Sequence, residues 1–338
     1  MKKYIIVTGY GVVAKEFIKL IREKEKELKH KYGLQLIIKS IIGSEYKIEE
    51  IEGIDIEALL RFNLGSKALK EYCQYKSIKA YKDKQLNGDI LVECTPTDIE
   101  TGGPALSYIY DAIDKNMDIV LASKGALVRE YGKISTLIKD KNLNLKISGA
   151  TAAALPTLDL GIQGIRGAKV KCIKGILNGT SNYILTMMIK ENMSYKEALD
   201  IAIKKGIAEK NNKLDVSGVD TACKILLISN RILDKKFTLN DISIKGIEEL
   251  TIDEIRKATH ENSVIKLIGT CEVNEEDISI RVKPEYISNN DQLSMVNYNN
   301  KAICFTTEET GEIFCSGGAS NPRAAAYSLL KDIINMYS

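Results

Sequence analysis

Apolar residues recur along this chain in two rhythms. In "KKYIIVTGYGVVAKEFIKLIREKEKELKHKYG", residues 2–33, a short continuous apolar run enters a glycine turn. Val13, Phe17, Leu20 and Ile21 then return at helical spacing against lysines and glutamates. The run predicts a buried strand and the spacing an amphipathic helix. "LQLIIKSII" at 34–42 predicts a second strand and completes a βαβ unit. "DILVECTP" at 89–96 predicts a strand entering a Thr-Pro turn, "PALSYIYDAIDKN" at 104–116 a helix, and "MDIVLASKG" at 117–125 another buried strand. This alternation of strand and helix argues an α/β fold with a doubly wound parallel sheet of Rossmann type.

The rhythm changes after about residue 135. "LNLKISGATAAALP" at 143–156 and "AKVKCIKGILNGTSNY" at 168–183 predict strands that end in loops of small residues. "SYKEALDIAIKKG" at 194–206 predicts a helix with a capping box at Ser194 and Glu197 and a stop at Gly206. "VIKLIGTCEV", "ISIRVKPEYI", "KAICFTT" and "EIFCSG" alternate as strands of a sheet with one covered face. "NPRAAAYSLLKDIINMYS" closes the chain as a helix. The expected organisation is a dinucleotide-binding domain of residues 1–134 plus 316–338. A second α+β domain with a mixed sheet, for substrate binding and dimerisation, occupies 135–315.

Composition narrows the functions open to such a fold. The 338 residues carry a net charge of +3, with lysines and glutamates interspersed, which gives no electrostatic case for nucleic acid or an anionic membrane. No apolar stretch reaches the length of a membrane span or of a signal-peptide core. Seven cysteines without a C-x-x-C pair read as reduced thiols, so a cytoplasmic location is expected. With two histidines in all, His30 and His260, a histidine triad or histidine metal cluster is not expected, and proton transfer is expected to fall to Lys, Asp, Glu or Tyr.

Candidate chemistry begins at the first turn. Gly9, Gly11 and Ala14 form G-x-G-x-x-A between a strand and a helix, with Val12 and Val13 inside the motif. The first glycine permits the tight turn, the second lets a pyrophosphate approach the backbone, and the helix N-terminus offers N–H groups and a positive dipole. The second strand ends "IIGSEYK": Gly43 and Ser44 stand where an NAD-type acid is expected, with Glu45 and Lys47 beyond. Hydroxyls and a lysine suit a 2′-phosphate at least as well as a 2′-hydroxyl, so NADP is expected, with NAD as the alternative. "ECTPT" puts Thr95, Pro96 and Thr97 at a strand end, where the hydroxyls could reach the ribose or nicotinamide. Ser123 and Lys124 follow another strand, and Lys124 reads either as the first solvated residue after it or as a lysine facing the cofactor crevice.

"LDVSGVDTACK" at 214–224 sets charge inside an apolar helix. Val219, Ala222, Cys223, Ile225, Leu226 and Ile228 cover most of the circumference, leaving Asp220 and Lys224 little solvated face. Ser217 with Asp220 also has the spacing of a capping box, and Asp220 with Lys224 that of a helix-surface ion pair. A desolvated lysine, by contrast, is a usable general acid near neutrality.

The chain resembles homoserine dehydrogenase, in the short form without a C-terminal regulatory ACT domain. The resemblance centres on "AIKKGIAEKNNKLDVSGVDTACK" at 202–224 and is supported by "GILNGTSNYIL", "ECTPTDIETG", "ASKG" and "SGGASNPRAAAYSLLKDI". It implies reversible hydride transfer between NAD(P)H and L-aspartate 4-semialdehyde, giving L-homoserine on the route to threonine and methionine, in a homodimer. It also implies Lys224 as proton donor, Lys124 as a second lysine at the reacting oxygen, and Asp220 as the partner of Lys224. Glu209 and Asp215 resemble the acids that hold the substrate ammonium, while Asn178, Gly179 and Thr180 match the loop near the substrate. Gly318 and Ala319 match a cofactor-binding loop. The chain departs from the family pattern at Ile207 (tyrosine), Asn212 (proline), Ser123 (asparagine) and Gly149 (glutamate). The loop to Pro156 carries a monovalent cation in some members, and no metal site is expected here.

Overall fold

The structure, a computed structural model, describes residues 1–209, 211–275, 277–318 and 320–338. It contains two compact units, Met1–Ala154 with Asn321–Ser338, and Leu155–Ser320. The division expected at 134/135 would cut the helix Gly125–Asp140, and the short strand that follows it belongs to the first sheet. The units therefore part at 154/155 and 320/321 instead.

The first unit is built on β1 (Lys2–Thr8), β2 (Gln35–Ile42), β3 (Lys47–Glu49), β4 (Ile90–Glu93), β5 (Asp118–Leu121) and β6 (Leu145–Lys146), in the order β3-β2-β1-β4-β5-β6. β1 runs parallel to β2 and β4, and β5 parallel to β4 and β6, while β3 folds back antiparallel on β2. Ile5, Ile6 and Val7 are fully buried, as a strand covered on both faces requires. The helix Val12–Glu23 buries Ala14, Phe17, Ile18, Leu20 and Ile21. The C-terminal helix Pro322–Tyr337, capped by Asn321 accepting from Ala324 N at 2.9 Å, buries Ala326, Leu329, Leu330 and Ile333 in the same core. Strand order reverses between β1 and β4, and open sheets of this kind take ligands at that point, beyond the carboxyl ends of the strands.

Of the strand expected over 143–156, Leu145–Lys146 alone pairs. Asp332 of the C-terminal helix takes Ser148 out of the ladder, accepting from its N at 3.0 Å and its Oγ at 2.7 Å. Gly149 is then closed in, since a Cβ there would lie 2.8 Å from the Leu121 carbonyl oxygen and 2.9 Å from Leu329 Cδ2. The family's glutamate has no room at this position. Glycine here is a packing requirement.

The second unit carries β7 (Val170–Ile176), β8 (Ile242–Ile244), β9 (Ser263–Val273), β10 (Ile278–Ser288), β11 (Lys301–Thr307) and β12 (Gly311–Gly317), in the order β12-β11-β7-β9-β10-β8. Every pairing is antiparallel except β8 with β10, which makes the sheet mixed. The helix Val219–Leu233 lies on β9, with Gly269 against Thr221 and Ile225, and buries ten residues, Asp220 among them. The capping box at Ser194 and Glu197 is formed. The one suggested at Ser217 and Asp220 is not, because Gly218, at φ +82, is the N-cap and contributes no side chain. Among the described residues no helix is long and apolar enough to cross a membrane.

Candidate active site

The glycine turn of the first unit is shaped by close backbone approach. Gly9 sits at φ +81, where a Cβ would lie 2.5 Å from the Cys94 carbonyl oxygen, and its N donates to the Ile42 carbonyl at 2.8 Å. The turn is thereby pinned to the ends of β2 and β4. Gly11 caps the helix Val12–Glu23 with no side chain on its first-turn N–H groups, and a Cβ there would meet nothing within 4 Å. Ala14 is fully buried beneath, while Val12 and Val13 remain partly accessible. An uncapped helix start with open space over a glycine fits a pyrophosphate. The residues present therefore fit a dinucleotide.

The adjacent loops are organised by a residue the sequence reading passed over. Glu93, fully buried at the end of β4, accepts from Thr95 N at 2.6 Å, from Thr95 Oγ1, and from Ser123 Oγ at 2.6 Å. It clamps the turns after β4 and β5 together. Burial holds its carboxyl above the usual range even though these donors oppose the shift. The Thr95 hydroxyl, expected to reach the ribose or nicotinamide, spends its proton on Glu93 and can act outward only as an acceptor. Pro96 and Thr97 are exposed. Lys124, half-buried, stands at the N-cap of the helix Gly125–Asp140. The signal for Glu93 was present in "ILVE", one acid ending an apolar strand.

The groups after β2 differ from expectation. Ser44 is exposed as read. Lys47 is buried on β3, its Nζ 2.8 Å from Glu49 Oε2, 3.2 Å from Asp83 Oδ1 and 3.0 Å from the Gln85 carbonyl. The antiparallel return of β3 turns that lysine into the fold.

In the second unit the signature residues converge on one cavity of about 420 Å³, lined by Asn178, Gly179, Thr180, Gly206, Ile207, Asp215, Asp220, Lys224, Asn299, Lys301 and Ser320. Lys224 Nζ donates to Asp220 Oδ2 at 2.6 Å and to the Leu177 carbonyl at 3.0 Å. Asn178 Nδ2 donates to Asp215 Oδ1 and Asp220 Oδ2, both at 2.7 Å, while its Oδ1 accepts from Ser181 N at 2.8 Å and so caps the helix Gly179–Lys190. One amide thus orients both carboxylates. Asp220 and Lys224 have side chains 9% and 18% exposed, which rules out a solvated surface pair.

Gly206 and Ile207 form part of one wall. Thr180 Oγ1 donates to the Ile207 carbonyl at 3.2 Å. Asn212, where the family pattern has proline, donates from Nδ2 to the Glu209 carbonyl at 3.0 Å. Glu209 itself is exposed and lies outside the cavity lining, so of the two acids read as holding the ammonium only Asp215 faces the cavity. Gly318 follows β12 at φ +74, and Ala319 lies outside the described residues. Lys301, missed in the sequence reading, lines the cavity from the first position of β11.

The profile of the family described as homoserine dehydrogenase matches residues 156–334. The NAD(+)-dependent homoserine dehydrogenase of Pseudomonas canavaninivorans is 30% identical over 341 residues, covering 98% of this chain and 96% of that protein. The homoserine dehydrogenase of Methanocaldococcus jannaschii is 30% identical over 336 residues, covering 99% and 98%. In fold, the solved homoserine dehydrogenase of Thermoplasma acidophilum matches with a TM-score of 0.80 at 21% identity over 99% of both chains. The chain belongs to the homoserine dehydrogenase family.

Proposed function

We propose that this protein catalyses NAD(P)-dependent, reversible reduction of L-aspartate 4-semialdehyde to L-homoserine. The observation that carries the reading is the connected set Lys224–Asp220–Asn178–Asp215 on the wall of one cavity. The Gly9–Gly11 turn and the helix start after it would hold a dinucleotide, which would supply or accept the hydride. The residues of this chain do the rest. Lys224 gives a proton from Nζ to the substrate oxygen as negative charge develops there, and takes it back in the reverse direction. Asp220 and the Leu177 carbonyl fix the direction of that ammonium, and Asp215 holds the substrate ammonium. The family resemblance gives Lys124 the part of a second cation, supported on this chain by its place after β5. Gly318 and Ala319 remain assigned to cofactor binding on the resemblance alone.

The cofactor preference shifts with the fate of Lys47. With that lysine committed to Glu49 and Asp83, the next ionisable side chain after Ser44 is the exposed Glu45. A carboxylate favours the 2′-hydroxyl of NAD over the 2′-phosphate of NADP. A homodimer, as the family resemblance implies, completes the proposal.

The test follows NADH and NADPH absorbance with aspartate semialdehyde, and with homoserine at alkaline pH, while light scattering gives the mass in solution. Turnover of both substrates with a lower KM for the NAD pair is expected. No turnover with either substrate overturns the reading. Turnover of a different amino-acid alcohol in preference to homoserine would point to Ile207 as the cavity residue that altered the substrate.

A further inference from the structure

Lys301 belongs to the cavity by geometry and has no part in the proton transfer just described. It opens β11, and the register Ala302↔Ile176 sets it beside the end of β7, where the Leu177–Asn178 turn begins. The residue is only 4% exposed, yet it lines the cavity together with Asn178, Asp215, Asp220 and Lys224. The lining therefore carries two carboxylates and two ammonium groups. Its formal charge balances that of a zwitterion.

Each charge has a place. Asp220 holds Lys224 at 2.6 Å, and Lys224 faces the reacting oxygen in the proposed function. Asp215 is the second carboxylate and takes the substrate ammonium. A substrate that is an α-amino acid brings one more charge, its α-carboxylate, into a site where an uncompensated anion is costly. We propose that Lys301 is the cation that receives the substrate α-carboxylate, and so the residue that selects α-amino acids over amino alcohols or amides of the same length. This rests on the homoserine dehydrogenase reading. A strand-mounted lysine suits the task, because the β7–β11 ladder fixes its position relative to the Leu177–Asn178 turn. Burial and the neighbouring Lys224 draw its pKa down to about 8 while Asp220 opposes them, so the ammonium form still predominates at neutral pH.

The experiment measures oxidation of L-homoserine and of L-homoserinamide, whose α-carboxyl is neutral, by wild type, Lys301→Met, Lys301→Gln and Lys301→Arg. NADH-binding fluorescence and thermal melts report folding. Loss of a charge-assisted hydrogen bond predicts a KM for homoserine raised about 10- to 100-fold in the Met and Gln variants, with kcat changed far less. The wild-type preference for homoserine over its amide should collapse in whichever of the two stays folded, and survive in large part in Lys301→Arg. Equal losses on both substrates, or an unchanged KM for homoserine, overturn the assignment of Lys301 while leaving the proposed function standing. Absence of homoserine turnover in the wild type overturns the function, and this assignment with it.

Discussion

Lys224 and Asp220 lie one helical turn apart, joined at 2.6 Å, on a face that the apolar residues of their helix withdraw from water. A surface pair at this spacing contributes a few tenths of a kcal/mol, whereas this one is aimed at a cavity and steadied by the Leu177 carbonyl. Lys224→Ala should therefore lower kcat for homoserine oxidation by roughly 10²- to 10⁴-fold, the usual worth of a positioned proton donor, and also lower the melting temperature, because Asp220 stays buried without its ammonium partner. Stopped-flow or steady-state NADH absorbance reads the loss. Unaltered turnover would remove Lys224 from the reaction.

Asn178 has two tasks that substitution can separate. Asn178→Ala removes a helix cap, costing about 1 kcal/mol, and also removes the donor shared by Asp215 and Asp220. Asn178→Asp keeps the cap but places a third carboxylate against the other two. Denaturant melts should show the Ala variant destabilised by the cap's worth, while both variants raise the KM for homoserine. A normal KM in Asn178→Asp would mean that the amide does not set the carboxylates.

The two glycines of the first turn should respond in opposite ways. Gly9→Ala forces a Cβ against the Cys94 carbonyl at a φ that alanine seldom adopts, and a loss of about 1–3 kcal/mol in stability is expected. Gly11→Ala meets nothing in the protein, so its melt should match wild type. If the pyrophosphate lies over Gly11, NADH affinity measured by fluorescence titration nevertheless falls in that variant. Unchanged affinity would place the pyrophosphate elsewhere.

Glu93 gives a pH signature. Its folded-state pKa lies above that of the unfolded chain, so over that interval the native state holds more protons, and this group's contribution to stability falls as pH rises above about 4.5. Glu93→Gln does not titrate. The melting-temperature difference, wild type minus variant, should therefore shrink from pH 4.5 toward pH 8, because other carboxylates cancel in the subtraction. A difference that grows with pH would show that the three donors outweigh burial. Gln also offers one acceptor in place of two, so weaker order in the Thr95 turn should appear as a higher KM for the cofactor.

Much of this molecule was written in local pattern. The period-2 and period-3.6 placement of apolar residues is set by which face each element buries, so the parallel α/β sheet, the mixed second sheet and the main helices were legible in the sequence. The glycine turn and the Asp215, Asp220 and Lys224 set were legible for a related reason, since charge or glycine in an apolar context has few explanations. What remained hidden depends on long-range packing. The three-residue β3 carries too little pattern to be read, and its return is what buries Lys47 and withdraws it from the surface after β2. Ser217 lost its capping role to the left-handed Gly218, and Glu209 turned outward while Asn212 held its carbonyl. Glu93 and Lys301 each look like one charged residue at the end of an apolar strand. Only the pairing of β4 with β5, and of β7 with β11, decides that one clamps the turns after β4 and β5 and the other stands in the cavity with Asp220 and Lys224. Sequence sets which residues must leave water; the register of strands far apart in the chain sets which of them then meet.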